Sequence, residues 1–169
     1  MDEHKNVGYT FYKQYPKERL TQPFPEIQKD DIVLFGSFFG VNPEVSERVK
    51  LFVKTAKDAG AIIIYDPNIR HPKDHGMEKI IPAVLENISF ADIIRGSDED
   101  FKNLFDIGNP EEALQLISRH SEANLIYTKS SEYVFVGTKT CAEKYPVPKI
   151  DVVSTIGAGD NFNAGVIHA

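Results

Sequence analysis

Ile62-Ile63-Ile64-Tyr65-Asp66-Pro67-Asn68-Ile69-Arg70 is the stretch that decides the fold of this 169-residue chain. Its apolar run, residues 62–65, is short and rich in β-branched side chains, which is typical of a strand buried within a parallel sheet. The polar residues that follow at once would lie at the carboxyl end of that strand. In open α/β sheets, ligands bind at this edge.

Short apolar runs and amphipathic segments alternate on both sides of this stretch. We predict strands over residues 7–12, 32–35, 62–65, 92–94 and 124–128, and a hairpin over residues 133–145. We predict helices after the caps Asn42, Ser97 and Asn109, and over residues 78–88 and 161–169. This pattern predicts an α/β fold, in which a mostly parallel sheet has helices on both faces and a C-terminal antiparallel hairpin.

The composition narrows the class of partner. A formal net charge of -6 and a pI near 5.4 argue against nucleic acid or an anionic membrane. No apolar run approaches the roughly 20 residues of a membrane span, and the polar start MDEHKN does not resemble a signal peptide. The single cysteine, Cys141, excludes an internal disulfide. We therefore expect a cytoplasmic protein.

A glycine-rich turn precedes the last predicted helix, in Ser154-Thr155-Ile156-Gly157-Ala158-Gly159-Asp160-Asn161-Phe162. Backbone N–H groups at a helix N-terminus attract phosphate, and the carboxylate of Asp160 could accept a proton from an incoming hydroxyl. The alternative is structural. The glycines would then only permit a tight turn, and Asp160 would complement the helix dipole.

Two further polar segments carry the same ambiguity. Asp66, Asn68 and Arg70 alternate, so that Arg70 could bind phosphate oxygens while Asp66 and Asn68 orient it or a hydrated metal ion. An Asx turn with a surface ion pair is the alternative. Ser97 and Asp100 form the pattern of a capping box, although they could instead hold Mg²⁺ through water.

These segments together resemble the C-terminal part of the ribokinase-like sugar kinases, the pfkB carbohydrate kinase family, and especially its fructokinase-type members. Residues 154–162 are similar to the family signature D-T-x-G-A-G-D-x-F, and residues 66–70 to its D-x-N-x-R loop. Residues 91–100 correspond to the segment with the motif N-x-x-E, and residues 128–133 to the nucleotide turn T-K-G-x-x-G. The resemblance extends from about Val7 to the last residue.

The resemblance implies a role for each segment. Asp160 would be the catalytic base on a sugar hydroxyl, and the turn would form the anion hole. The residues implied for the anion hole and phosphate are Gly157, Ala158, Gly159 and Arg70. Those implied for the nucleotide are Thr128 and Ser130. Those implied for a metal ion held through water are Asp66, Asn68, Ser97 and Asp100. The implied cofactors are ATP and Mg²⁺. A monovalent cation is also implied, but Ser154 replaces the aspartate that often serves its site.

Several positions depart from the family pattern. Ser97 replaces asparagine and Asp100 replaces glutamate, while Ser130 and Tyr133 replace both glycines of the nucleotide turn. A side chain at a position that needs positive φ would be strained. Family members are also longer, so we expect residues 1–169 to be a single truncated domain. The portions expected to be absent are the N-terminal substrate and lid portion and the C-terminal adenine-pocket portion.

The sequence thus predicts ATP-dependent phosphorylation of a small sugar hydroxyl, with a nucleotide and a sugar as ligands. The alternative is that the chain is a catalytically inactive fragment, or a binding or assembly module of the same fold. A homo-oligomer is a further open expectation, because absent portions would leave apolar surface exposed.

Overall fold

The computed structural model describes residues 16, 18–69 and 76–169. The predicted strand over residues 7–12 lies outside this part, and so does Arg70. The chain divides into two compact units. The larger, called here the core unit, is Gln22–Val147, and the terminal unit comprises Met1–Thr21 and Pro148–Ala169.

Six strands of the core unit form one sheet whose spatial order is the order of the chain. The strands are β1 (Ile32–Gly36), β2 (Ile62–Asp66), β3 (Ile93–Ser97), β4 (Asn124–Lys129), β5 (Tyr133–Gly137) and β6 (Ala142–Pro146). Strands β1 to β4 are parallel, whereas β5 and β6 continue the sheet in antiparallel fashion. The predicted mostly parallel sheet and its C-terminal hairpin are therefore confirmed.

Helices connect the parallel strands. They are α1 (Ser46–Asp58), α2 (Met77–Phe90), α3 (Asp98–Phe105) and α4 (Pro110–Ser118), and a short 3₁₀ helix, Phe38–Val41, precedes α1. The prediction that α1 begins directly after Asn42 was wrong by three residues. The Asn42 side chain accepts a hydrogen bond from the Glu44 N–H at 3.0 Å, and its carbonyl accepts from Val45 and Ser46. Asn42 therefore caps a turn that leads into the helix.

One face of the sheet carries the core. From β1 to β4, each new strand is added on the same side of the preceding strand. Right-handed crossovers therefore place all of the connecting helices on one face of the sheet. The strand residues on that side are almost inaccessible: Val33, Ile63, Tyr65, Ile94, Leu125, Tyr127 and Phe135. The Phe101 ring of α3 stacks on Tyr127 with centroids 5.5 Å apart. Helices on the second face stay a prediction.

The second face of the sheet is more exposed to solvent at β1 and β2, and it has polar residues at one end. Ile32, Leu34 and Ile62 on β1 and β2 are each about 40% exposed. The strand register places Asp66, Arg95 and Thr128 on this same face, close to the carboxyl ends of β2, β3 and β4. The polar end of this face therefore contains Asp66 and Thr128, two of the predicted site residues.

Candidate nucleotide and phosphate site

The site begins where β1 and β2 approach each other closely. Gly36 ends β1 beside Asp66, and a Cβ at position 36 would lie 1.7 Å from the Asp66 carbonyl oxygen. That same oxygen accepts a hydrogen bond from the Ser37 N–H at 2.9 Å. Only glycine fits this approach, which holds the backbone of Asp66 at the end of β2.

A buried arginine links the ends of three neighbouring strands. Arg95 lies on β3, and its Nη1 donates to Asp66 Oδ2 of β2 at 3.2 Å. Its Nη2 donates to Thr128 Oγ1 of β4 at 3.1 Å. Both members of the ion pair are buried, Asp66 being 6% and Arg95 8% exposed. The arrangement links Asp66 and Thr128, for which the family resemblance implies a water-mediated metal contact and a nucleotide contact respectively.

Ser97 and Asp100 form the predicted capping box of α3. Asp100 Oδ2 accepts from both the backbone N–H and the Oγ–H of Ser97, at 2.8 and 2.7 Å. The Asp100 N–H in turn donates to Ser97 Oγ at 3.1 Å. Capping therefore accounts for the two side chains, as the structural alternative predicted. Their water-mediated contact with a metal ion stays a prediction.

The loop after β2 turns sharply and is anchored by one apolar residue. Asn68 has a φ of 35°, on the left-handed side that asparagine tolerates better than most residues. Ile69 is only 1% exposed, and burial of its apolar side chain stabilises this part of the loop. Asp66 and Asn68 both lie at this carboxyl edge, as predicted. Arg70 lies outside the described residues.

The turn between β4 and β5 contains one glycine replacement, Ser130, and the other, Tyr133, begins β5. The Glu132 N–H donates to the Lys129 carbonyl at 2.9 Å, and Ser130 at the first central position has a φ of 43°. Glycine is favoured where a hairpin turn requires positive φ at that position. Tyr133 is flanked by the ammonium groups of Lys129 and Lys144, at 5.7 and 5.1 Å from the ring centroid. Ser130 therefore adopts the backbone conformation in which a side chain was expected to be strained.

The terminal unit contains the glycine-rich turn and the last helix, α5 (Ala158–His168). Gly157 precedes the helix with a φ of 74°, and Asp160 lies exposed in the first turn. The helix begins three residues before the predicted start because Gly157, rather than Asp160, ends the turn. The Ala158 N–H donates to the Thr155 carbonyl at 3.2 Å, so a phosphate contact at this amide would have to replace that bond.

Arg95 is the residue that sequence reasoning missed. Its partners lie 29 and 33 positions away, so no local motif connects them. The available signal was a charged residue within the otherwise apolar strand around Ile93 and Ile94. Among the described residues, no three His, Cys, Asp or Glu side chains lie together as a metal-binding group. None of the described helices is long and apolar enough to cross a membrane.

This fold is that of the ribokinase-like kinases. The structure superimposes on fructokinase from Vibrio cholerae O395, in its fructose, ADP and calcium ion bound form, with a TM-score of 0.77, 22% identity, and coverage of 85% of this chain and 47% of that chain. Aminoimidazole riboside kinase from Salmonella enterica gives a TM-score of 0.77 at 21% identity, covering 85% and 48%.

The family follows from the sequence comparison. Residues 5–169 match the model of the pfkB family carbohydrate kinases, and the chain belongs to that family. Probable fructokinase-5 of Arabidopsis thaliana is 31% identical over 137 residues, which are 80% of this chain and 42% of that protein. Fructokinase of Vibrio alginolyticus is 28% identical over 115 residues, which are 68% and 38%. The chain thus spans less than half the length of these relatives.

Proposed function

We propose that this chain supplies the phosphate and nucleotide side of an ATP-dependent kinase acting on a hydroxyl of a small sugar, with fructose as the first candidate. The observation that carries the proposal is the turn before α5, in which left-handed Gly157 leads directly into a helix with Asp160 in its first turn. The relatives named fructokinase support the choice of sugar. The proposal treats residues 1–169 as part of one domain.

The chemistry assigned to the turn is an in-line displacement. The sugar oxygen forms a bond to the γ-phosphorus, the bond from that phosphorus to the ADP oxygen breaks, and Asp160 takes the hydroxyl proton. A carboxylate is too weak a base to remove that proton in advance, so proton transfer accompanies bond formation. Amides of Gly157 and Gly159, and that of Ala158 once phosphate replaces its bond to the Thr155 carbonyl, would stabilise charge on the transferred group at the N-terminus of α5.

A magnesium ion that arrives with the nucleotide would be held at the strand ends through water, because the carboxylates there already have partners. Asp66 is already paired with Arg95, and Asp100 Oδ2 already accepts two hydrogen bonds from Ser97. Mg²⁺ commonly keeps several waters and needs only one or two carboxylates beside the phosphates. Asp66 and Asn68 would hold it through water, and the ion when bound would neutralise phosphate charge.

Replacing the proposed base tests the reaction. We expect Asp160→Asn to abolish ATP-dependent phosphorylation of fructose, while the affinity for MgADP changes little. Asp151→Asn is the matched control, since Asp151 is another exposed aspartate of the terminal unit and has no assigned role. Turnover by Asp160→Asn close to that of the wild type would refute the role given to the carboxylate.

An inactive binding or assembly module is the second candidate, and the nucleotide turn favours it. Ser130 adopts positive φ where the family has glycine, and Tyr133 adds a ring at the second glycine position. Calorimetric titration with MgATP and with fructose separates the two proposals. Heat from neither ligand, in a folded sample, would favour the module.

A further inference from the structure

We propose that Arg95 is a positioning residue for nucleotide binding, which fixes the distance between the loop after β2 and the turn after β4. The inference rests on the proposed function, because it assumes that a nucleoside di- or triphosphate binds at the carboxyl edge of the sheet. It assigns a role to a residue of the segment 91–100 that is not one of the N-x-x-E positions, 97–100.

The geometry makes Arg95 a bridge between two loops. Asp66 is the last residue of β2, and Thr128 is the last but one of β4, while Arg95 lies on the strand between them. One guanidinium nitrogen contacts each neighbour, at 3.2 and 3.1 Å. A planar guanidinium holds two such partners at a defined separation, which a flexible ammonium group does not do.

Stability alone does not account for this arginine. Burying a guanidinium and a carboxylate costs several kcal/mol in lost hydration, and apolar replacements of buried ion pairs are often neutral or stabilising. Ile64, which precedes Asp66 by two residues on the same face of the sheet, is a buried apolar residue, so the surroundings of the pair also accommodate apolar side chains. The defined arrangement of the two loops is what the ion pair adds.

The direction of the hydrogen bond to Thr128 points to the chemistry of the ligand. Thr128 Oγ1 accepts from Arg95, and because a guanidinium cannot accept, the Thr128 hydroxyl can donate its own proton to a different group. A phosphate oxygen of a nucleotide is an acceptor of suitable charge, and the charge of the Asp66 carboxylate, which would repel it, is neutralised by Arg95. Arg95 would therefore orient Thr128 toward the nucleotide without contacting it.

Titration of the 169-residue chain with MgADP tests the inference, with melting temperatures measured in parallel. We expect Arg95→Lys to weaken MgADP binding about tenfold. This corresponds to the loss of one hydrogen bond to a charged group, here the bond from the Thr128 hydroxyl to phosphate. Thr128→Val should have a similar effect, while Thr128→Ser, which keeps the hydroxyl, should bind as the wild type. Thr128→Val is also the deciding variant if Arg95→Lys does not fold.

Lys57→Met is the matched control. Lys57 pairs with Asp92 at 3.1 Å just before β3 begins, so that this variant also removes an ion pair beside that strand, but at the opposite edge of the sheet. It should leave MgADP affinity unchanged. Weakening by Lys57→Met equal to that by Arg95→Lys would mean that both act only through stability, and would overturn the inference.

The two proposals fail in different ways. Wild-type affinity in folded Arg95→Lys overturns the positioning role whether or not fructose is phosphorylated, and so does a wild-type chain that does not bind MgADP. Binding that depends on Arg95, in a chain that does not phosphorylate fructose, supports the positioning role and counts against the kinase activity.

Discussion

Gly36→Ala tests the close approach of β1 and β2 at which the candidate site begins. The added Cβ would lie 1.7 Å from the Asp66 carbonyl oxygen and 2.6 Å from its carbonyl carbon, whereas real Cβ atoms essentially never approach within 3.0 Å. The two backbones would have to separate by roughly the difference, about 1.3 Å, before overpacking is relieved. The hydrogen bond from the Ser37 N–H to this oxygen, 2.9 Å long, would then be lost.

The expected cost combines two contributions. Overpacking of this kind costs about 1–3 kcal/mol, and the lost hydrogen bond costs about 0.5–1.5 kcal/mol. We therefore expect Gly36→Ala to lower the free energy of unfolding by about 3 kcal/mol. For a chain of this length, that corresponds to a fall in melting temperature of about 9 °C.

Urea denaturation, followed by circular dichroism, measures this free energy. Gly108→Ala is the matched control, because a Cβ at position 108 has nothing within 4 Å and position 108 does not have positive φ. It should be neutral or stabilise by up to about 1 kcal/mol through the unfolded state. A loss below about 0.5 kcal/mol in Gly36→Ala would refute the close approach, because such changes are typical of unconstrained surface positions.

Two further predictions concern β4 and the turn that follows it. Ser130→Gly should raise the free energy of unfolding by about 0.5–1 kcal/mol, since relief of the left-handed conformation exceeds the entropic cost of glycine; Ser131→Gly, at a position without positive φ, should not stabilise. A lower urea midpoint for Ser130→Gly would contradict the strain assigned to this turn. Burial raises the pKa of Tyr127 to about 12, so the folded chain keeps a phenolic proton that the unfolded chain loses near pH 10. The free energy of unfolding should therefore fall as the pH rises from about 10 to 12, and it should fall less in Tyr127→Phe. Urea denaturation of both proteins at pH 9 and pH 11 measures this fall, and an equal fall in the two proteins would exclude this origin.

The strands of the sheet were predictable because each of them has a characteristic local sequence pattern. The apolar run before Asp66 and the alternation around Gly137 each depend only on neighbouring residues, and the structure has strands at both places. The start of α1 was less predictable. Asn42 followed by Pro43 has the chemistry of a helix cap, yet the same hydrogen bonds stabilise the turn that precedes Ser46. Local cap chemistry cannot distinguish these two outcomes.

The candidate site was predictable only where it is local. The capping box of Ser97 and Asp100 uses residues three positions apart, and the structure has both of its hydrogen bonds. The bridge formed by Arg95 joins residues that become neighbours only once β2, β3 and β4 pair. The strand order, which no motif encodes, is therefore what turned three separate segments into one arrangement.

The matching of spatial and chain order in the sheet has a consequence for how the protein is made. Ile32 pairs with Ile62, Ile64 with Ile93, and Ile93 with Asn124, so each parallel ladder joins segments about 30 residues apart. Each strand emerging from a ribosome finds its partner already synthesised, and none has to wait for a distant segment. The sheet can therefore grow one strand at a time in the direction of translation.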